Sequence, residues 1–143
     1  MRRMEIIGKD GEAALFKAGT QSYFFHYSWK VFKKVRVHPE TTLDIVMERY
    51  RRKPPNIELL SSDSDGNYLF WDRATCYFVS FALGVFARVC DIEVEGKPVL
   101  TIIKAKSMET DRILDGLKGH YADMLQRRKS RRSQKPIIIK EQK

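Results

Sequence analysis

The sequence has only two cysteines, Cys76 and Cys90, and three histidines. Both cysteines fall within the predicted core, which favours buried thiols over a disulfide. The cysteines and histidines lack metal-ligand spacing, and no carboxylate cluster is typical of a magnesium site. Nucleophile-elbow and Walker motifs are also absent. The sequence therefore predicts a protein without a metal or other cofactor.

Long apolar segments are also missing. No apolar run follows the N-terminal Met-Arg-Arg, so a signal peptide is not expected. The longest apolar run, residues 76–89, includes Gly84 and Arg88 and is shorter than the roughly 20 residues that span a bilayer. We therefore expect a soluble, cytoplasmic protein without a membrane partner.

Positive charge is abundant, and it is concentrated at the C-terminus. The segment from Arg127 onward contributes +7 of the formal net charge of +9, so the remainder is nearly neutral. Concentrated positive charge attracts phosphate backbones through counterion release. The alternative interpretation is a solubilising, disordered tail. The charge distribution favours RNA as the partner, with DNA as a second possibility.

The N-terminal region predicts short strands over residues 4–7, 13–17 and 21–26. Asp10-Gly11 is suited to a tight hairpin turn between the first two strands. This region therefore opens the chain with β-structure.

A pair of helices is predicted next. Trp29, Phe32 and Val35 recur at helical spacing, with lysines on the other face, and indicate a short helix over residues 28–38. A second helix is expected over residues 39–53, because proline suits its first position and the acidic and basic residues at its ends suit the helix dipole.

The densest apolar and β-branched segment, residues 67–106, predicts an antiparallel meander. Turn residues divide the meander and its lead-in into strands at residues 57–60, 67–73, 76–89, 91–95 and 99–103. Gly84 is expected to mark a bulge in the third of these strands. A buried helix is the competing interpretation of residues 76–89, because a continuous apolar run does not define the period.

The C-terminal region predicts a helix that begins at the capping residue Ser107 and ends near Lys129. Gly116 and Gly119 each cost about 1 kcal/mol within a helix unless close packing compensates. We expect one domain over residues 1–129 and a basic disordered tail over 130–143, in which residues 136–139 suit an edge strand or strand addition to a partner. The predicted fold class is α+β, an antiparallel β-meander of four or more strands flanked by an N-terminal helix pair and a C-terminal helix.

Candidate functional residues are mainly cationic. His26 precedes a lysine-rich segment, which would lower its pKa and keep it a neutral base, although a packing role remains open. Arg73, Arg88 and Lys104 lie on the turn and strands of the predicted meander, where side chains of adjacent strands can converge on one face. We predict His26, Arg73 and Lys104 as catalytic residues for metal-independent cleavage of a phosphodiester. The predicted nucleic-acid contacts are Lys33, Arg49, Arg51, Arg52, Lys53, Arg88, Arg127, Arg128, Lys129, Arg131 and Arg132.

The order of these elements resembles that of the RelE/barnase-like endoribonucleases. The resemblance covers residues 26–106: a lysine-bearing helix, a second helix (HPETTLDIVMERYRRKPP), strands (IELLSS, NYLFWD, TCYFVSFALGVFARV) and a closing strand (VLTIIKA). It implies a metal-independent endoribonuclease of toxin or phage type, with His26, Lys30 and Lys33 on the leading segment and Arg73, Arg88 and Lys104 on the strands.

Three functions therefore follow from the sequence. The first is a small basic endoribonuclease, and the second is a nucleic-acid-binding protein without catalytic activity. The third is a module that binds a small molecule or protein, such as a phage protein that blocks a host enzyme. An antitoxin or host protein and a second copy of the chain are further possible partners. The salt dependence of RNA binding separates the third function from the others.

Overall fold

The computed structural model describes residues 2–89, 92–104 and 110–141, with side chains through Lys129. These residues form the following elements: β1 (Arg2–Asp10), β2 (Ala13–Ala18), β3 (Gln21–His26), β4 (Val31–Val35), α1 (Leu43–Tyr50), β5 (Glu58–Ser62), β6 (Asn67–Trp71), β7 (Cys76–Ser80), β8 (Val85–Arg88), β9 (Glu93–Val94), β10 (Lys97–Pro98), α2 (Val99–Lys104) and α3 (Thr110–Glu141).

The main sheet consists of two antiparallel meanders joined side by side. The strand order is β4-β3-β2-β1-β8-β7-β6-β5, and the sheet curls into a half-barrel. The seam between the meanders is short: Arg2 pairs with Phe86 and Arg3 pairs with Val85. We call β1–β4 with α1 the N-terminal half, and β5–β10 with α2 and α3 the C-terminal half.

Aromatic side chains fill the inside of the curled sheet. Rings of the N-terminal meander lie against rings of the C-terminal meander, with Tyr23 and Phe86 at 4.8 Å and Phe25 and Phe70 at 5.1 Å between centroids. Other buried members of this inner cluster are Ala14, Phe16, Ala18, Phe32, Ile57, Tyr77 and Val79. Burial of such large rings supplies most of the driving force that holds the meanders together.

Each half also carries a helix on its outer face. Leu43 and Val46 of α1 are buried against the N-terminal meander, and Tyr50 stacks on Phe24 with 5.5 Å between ring centroids. On the C-terminal half, Tyr121 of α3 stacks on Phe78 of β7 at 5.3 Å. Both faces of the meanders are therefore covered over much of their area.

One asparagine connects the free edge of β4 to the chain that leads into β5. The side-chain amide of Asn56 accepts the N–H of Phe32 at 2.8 Å and donates to the Phe32 carbonyl at 2.7 Å. The backbone N–H of Asn56 donates to the Lys30 carbonyl at 3.0 Å. These bonds satisfy backbone groups of β4 that an open edge would leave unpaired.

The predicted N-terminal helix pair is wrong. Residues 28–30 form a turn, in which Lys30 has a left-handed φ of 54° that interrupts any helix, and Val31–Val35 form strand β4 paired with β3. The second helix exists, but it is α1, and its N-cap is Thr42 rather than a residue next to Pro39.

Two predictions for the meander are also wrong. Residues 76–89 form the hairpin of β7 and β8 instead of one bulged strand, and Gly84 ends the connecting turn with a φ of 67°. Residues 99–104 form helix α2 rather than a closing strand. The three N-terminal strands, with Asp10-Gly11 between the first two, are confirmed.

Some predictions for the C-terminal region fall on residues that the structure does not describe, and others fall within α3. Ser107 and Cys90 lie outside the described residues, whereas Cys76 is a buried thiol. The expected boundary at residue 129 falls inside α3, whose backbone includes residues 136–139 and ends at Glu141. Over the described parts of the chain, none of the helices has the length and apolar character needed to cross a membrane.

Candidate nucleic-acid interface

His26, the predicted catalytic base, is enclosed at the end of β3. Only 4% of its surface is exposed, and its ring stacks on Trp29 with 3.8 Å between centroids. Its Nδ1 accepts the backbone N–H of Trp29 at 3.1 Å, so this lone pair is occupied. Burial lowers the pKa of His26, an effect that the Glu12 carboxylate partly offsets. These contacts fit a neutral histidine that closes the β3–β4 turn.

The structure does not gather the other predicted catalytic residues, Arg73 and Lys104, or the predicted nucleic-acid contact Arg88 around His26. Arg73 is exposed in the β6–β7 turn, where its φ is 75°. Arg88 lies on β8 opposite Tyr77, on the inner side of the sheet. Lys104 ends α2, whose buried residues belong to the outer cluster under α3. Within the described residues, no hydrogen bond, ion pair or ring contact connects any of these side chains to His26.

The basic residues at the end of α1 form a separate exposed group. Arg49, Arg51, Arg52 and Lys53 surround a shallow cavity of about 300 Å³ together with Glu48. Arg51 forms an ion pair with Glu48 at 3.0 Å. Lys33 is exposed on β4 and is not part of this group.

A larger cavity opens where α3 passes the seam of the sheet. It has a volume of about 530 Å³. It is lined by Arg3 of β1, Leu83 of the β7–β8 turn, and Ala122, Leu125, Gln126, Arg128 and Lys129 of α3. We call it the wedge cavity. Its base is apolar and its rim is cationic.

The spacing of residues along α3 explains why the rim is cationic. Leu117, Tyr121 and Met124 recur at three- and four-residue intervals and pack against the sheet. Arg128 continues this spacing, and Arg131 and Arg132 follow on the next turn of the helix backbone. The stripe that begins as a packing surface thus reaches a cation at Arg128, and the sequence stays basic beyond it.

The ion pairs within α3 affect these cations unequally. Arg127 pairs with Asp123 at 3.1 Å, which offsets part of its charge. Among the described residues, Arg3 and Arg128 form no ion pair. Arg3 and Arg128 therefore present uncompensated charge at the wedge cavity.

A polar network fixes the other end of α3 against the C-terminal meander. Lys118 donates to Asp63 at 2.8 Å, and Ser61 donates to Asp111 at 2.6 Å. Burial alone would raise the pKa of Asp63, but hydrogen bonds from Lys118, Asn67 and the backbone N–H groups of Asn67 and Asp65 lower it to about 2. This anchoring fixes where the basic part of α3 leaves the sheet.

A second cavity lies at the opening of the curled sheet. It has a volume of about 260 Å³ and is lined by Arg2, Tyr23, Phe86, Ala87 and Arg88. We call it the mouth cavity. Sequence reasoning identified Arg88 but missed Arg2 and Arg3, which gain their significance only from the pairing of β1 with β8.

Comparison with protein-family models, curated proteins and solved structures finds no match to this chain.

Proposed function

We propose that this protein binds nucleic acid through the phosphate backbone and does not cleave it. The observation that carries the proposal is the grouping of Arg3, Arg128 and Lys129 around one cavity. Arg131 and Arg132 extend the basic sequence along the same helix. RNA and duplex DNA are both candidate partners, because both present phosphodiester charges. RNA is the first to test and duplex DNA is the second.

The chemistry of the wedge cavity supports backbone contacts rather than recognition of bases. Arginine and lysine bind phosphate oxygens through charge-assisted hydrogen bonds. None of the described residues that line the wedge cavity is aromatic, so these residues offer no stacking platform for an unpaired base. We therefore expect binding with little sequence preference and a strong dependence on salt.

The expected salt dependence follows from the number of cations. If about five side chains contact phosphates of single-stranded RNA, the logarithm of the binding constant falls by about 3.5 per tenfold increase in salt. For duplex DNA, the corresponding slope is about 4.5. A module that binds a small molecule or a protein, and whose tail is merely solubilising, would not show this salt-dependent binding of RNA.

The environment of His26 argues against cleavage. A general base needs a lone pair within hydrogen-bond reach of the proton that it removes. The Nδ1 lone pair of His26 is occupied by the Trp29 N–H, and its imidazole is buried against the indole. Replacing His26 would therefore alter stability rather than a catalytic rate.

The proposal is tested by fluorescence anisotropy with labelled single-stranded RNA and labelled duplex DNA between about 50 and 200 mM salt. The test variant carries Arg3→Ala and Arg128→Ala. The control variant carries Arg36→Ala and Lys97→Ala, which removes the same charge from two exposed positions elsewhere. We expect the test variant to lose at least about tenfold in affinity and the control variant about twofold or less.

Three results would overturn the proposal. Absence of RNA and DNA binding at about 50 mM salt would exclude nucleic acid as the partner. Equal losses in the two variants would show attraction to net charge instead of binding at the wedge cavity. RNA cleavage in excess chelator by the wild-type protein, lost in His26→Asn, would contradict the non-catalytic assignment.

A further inference from the structure

Two arginines of adjacent strands face the mouth cavity from the same side of the sheet. Arg2 of β1 is paired with Phe86 of β8, and Arg88 lies two residues further along β8. Because alternate residues of a strand share a face, Arg88 lies on the face of Phe86. Both arginine side chains line the same cavity of about 260 Å³.

A glycine provides the space that Arg2 occupies. Gly19, in the β2–β3 turn, has a φ of 66°, and a Cβ added there would lie 2.7 Å from Nη1 of Arg2 and 3.2 Å from its Cζ. Any side chain at this position would displace the guanidinium. The absence of a side chain at Gly19 thus allows Arg2 to lie across the turn.

The two guanidiniums are not neutralised within the described part of the chain. No carboxylate forms an ion pair with Arg2 or Arg88 there. After burial, the charge of Asp72 contributes to the raised pKa of the neighbouring Tyr77. The Oδ1 of Asp72, however, accepts the N–H groups of Ala74 and Thr75 at 2.9 and 2.6 Å. Lys34, the cross-strand partner of Tyr23, adds a further exposed cation to the inner face.

The aromatic residues of the mouth cavity give it a rigid floor. Tyr23 and Phe86 are each 4% exposed, and Phe86 also lies against Phe16 and Tyr77. These rings belong to the inner core, so they support the cavity and leave little surface for stacking a base. The exposed functional groups are therefore the two guanidiniums.

We propose that the mouth cavity is a binding site for a phosphate monoester. Two guanidiniums carry two positive charges and match a phosphate dianion, whose oxygens accept their hydrogen bonds in pairs. The phosphate belongs either to a small phosphorylated molecule or to the terminus of a nucleic acid. This site goes beyond the proposed backbone binding, because it uses Arg2 and Arg88 rather than the residues of the wedge cavity.

The test is an amide NMR titration of the full chain with inorganic phosphate, adenosine monophosphate and adenosine. We expect both phosphates to shift the amide resonances of Ala87, Arg88 and Gly19, with a Kd of about 1 mM or tighter for the nucleotide, whereas adenosine produces no shift. Arg88→Ala should weaken binding of the nucleotide by at least about tenfold. Arg112→Ala, which replaces an exposed arginine of α3, is the matched control and should leave it unchanged.

A second variant separates the guanidinium geometry from its charge. Arg88→Lys keeps the positive charge but loses the paired donors, so it should bind adenosine monophosphate more weakly than the wild type and more tightly than Arg88→Ala. Unchanged resonances far from the mouth cavity would establish that each variant is folded. Absence of shifts with either phosphate, or equal losses in Arg88→Ala and Arg112→Ala, would overturn the proposal.

The source of the phosphate is decided with two RNAs that differ only in a terminal phosphate. If the terminus is the natural ligand, the phosphorylated RNA binds more tightly and Arg88→Ala removes the difference. If the ligand is a small molecule, both RNAs bind with equal affinity, and Arg88→Ala weakens only the binding of adenosine monophosphate. In both cases the variant with Arg3→Ala and Arg128→Ala should still bind adenosine monophosphate. Failure of the proposed backbone binding can therefore be distinguished from failure of the proposed site in the mouth cavity.

Discussion

Arg2 and Arg3 are consecutive residues of β1 that line cavities on opposite faces of the same sheet. Arg2 lines the mouth cavity on the inner face, and Arg3 lines the wedge cavity beneath α3. Strand alternation produces this division, because neighbouring side chains of a strand point to opposite faces. One dipeptide thus contributes a guanidinium to each candidate anion site.

This division predicts that single substitutions in β1 have separable effects. Arg3→Ala should weaken RNA binding, measured by anisotropy, by about three- to tenfold and leave binding of adenosine monophosphate unchanged. Arg2→Ala should have the reverse effect, measured by NMR. Loss of both activities in either variant would contradict the assignment of the two arginines to independent sites.

Gly116 and Gly119 of α3 predict opposite effects of the same substitution. A Cβ on Gly116 would lie 2.5 Å from Cγ1 of Val94, whereas a Cβ on Gly119 would meet nothing within 4 Å. We expect Gly116→Ala to destabilise the protein by about 1 to 3 kcal/mol through overpacking. Gly119→Ala should stabilise it by about 0.5 to 1 kcal/mol through helix propensity.

Urea denaturation measures both changes in the free energy of unfolding. Each variant serves as the control for the other, because both add one methyl group to α3. Equal effects in the two variants would show that Gly116 is not in close contact with β9.

Asp63 is expected to stabilise the attachment of α3 in a pH-dependent manner. Its pKa is lowered from 3.8 to about 2 in the folded protein, so the unfolded chain binds more protons between these values. The stabilisation is therefore present above pH 3.8 and is lost as the pH falls towards 2. We expect Asp63→Asn to cost about 1 to 2 kcal/mol at neutral pH, because it retains the acceptor oxygen but loses the charge that binds Lys118.

Denaturation curves recorded at several pH values test this prediction. Asp115→Asn is the control, since Asp115 also binds Lys118, at 3.1 Å, but is largely exposed. A cost as large in this control as in Asp63→Asn would argue that the partial burial of Asp63 has no special effect.

His26 predicts a second pH effect, of the same sign. Its pKa lies below the ordinary value of 6.5 because burial disfavours the imidazolium, although Glu12 opposes this effect. The unfolded state thus binds more protons as the pH falls through 6.5, and the folded state loses stability there. His26→Asn, whose side-chain oxygen can accept the Trp29 N–H, should reduce this loss.

The measurement is the free energy of unfolding on both sides of pH 6.5. His120→Asn is the control, because it makes the same replacement at an exposed histidine of α3. An identical pH profile in wild type and His26→Asn would refute the role assigned to His26.

The errors in predicting the fold have a common physical origin. Residues 76–80 are buried on both faces of the sheet, so β7 has no alternation of polar and apolar side chains. Trp29, Phe32 and Val35 have helical spacing. Phe32 nevertheless belongs to the inner cluster, whereas Val35 belongs to the cluster under α1 on the outer face. Hydrophobic periodicity becomes ambiguous where both faces are covered, whereas turn residues such as Asp10-Gly11 remain informative.

The candidate sites were predictable only where they are local in sequence. The basic groups around Arg49 and Arg128 are evident from composition. Arg2 and Arg3 acquire a role through pairing with Phe86 and Val85, a contact between distant segments that no local pattern encodes. His26 was predicted as a base because a lysine-rich segment follows it, and its stacking on Trp29 could not be inferred from that segment.

Because the seam between β1 and β8 is short, a bound ligand can help to hold the two halves of the chain together. Each cavity takes residues from both halves of the chain, so an anion in either one bridges them. Such a ligand opposes separation of the halves and adds to the free energy of opening according to its concentration and affinity. Hydrogen exchange at the Met4 amide, which donates to the Gly84 carbonyl at 2.8 Å, should therefore slow when phosphate or RNA is bound.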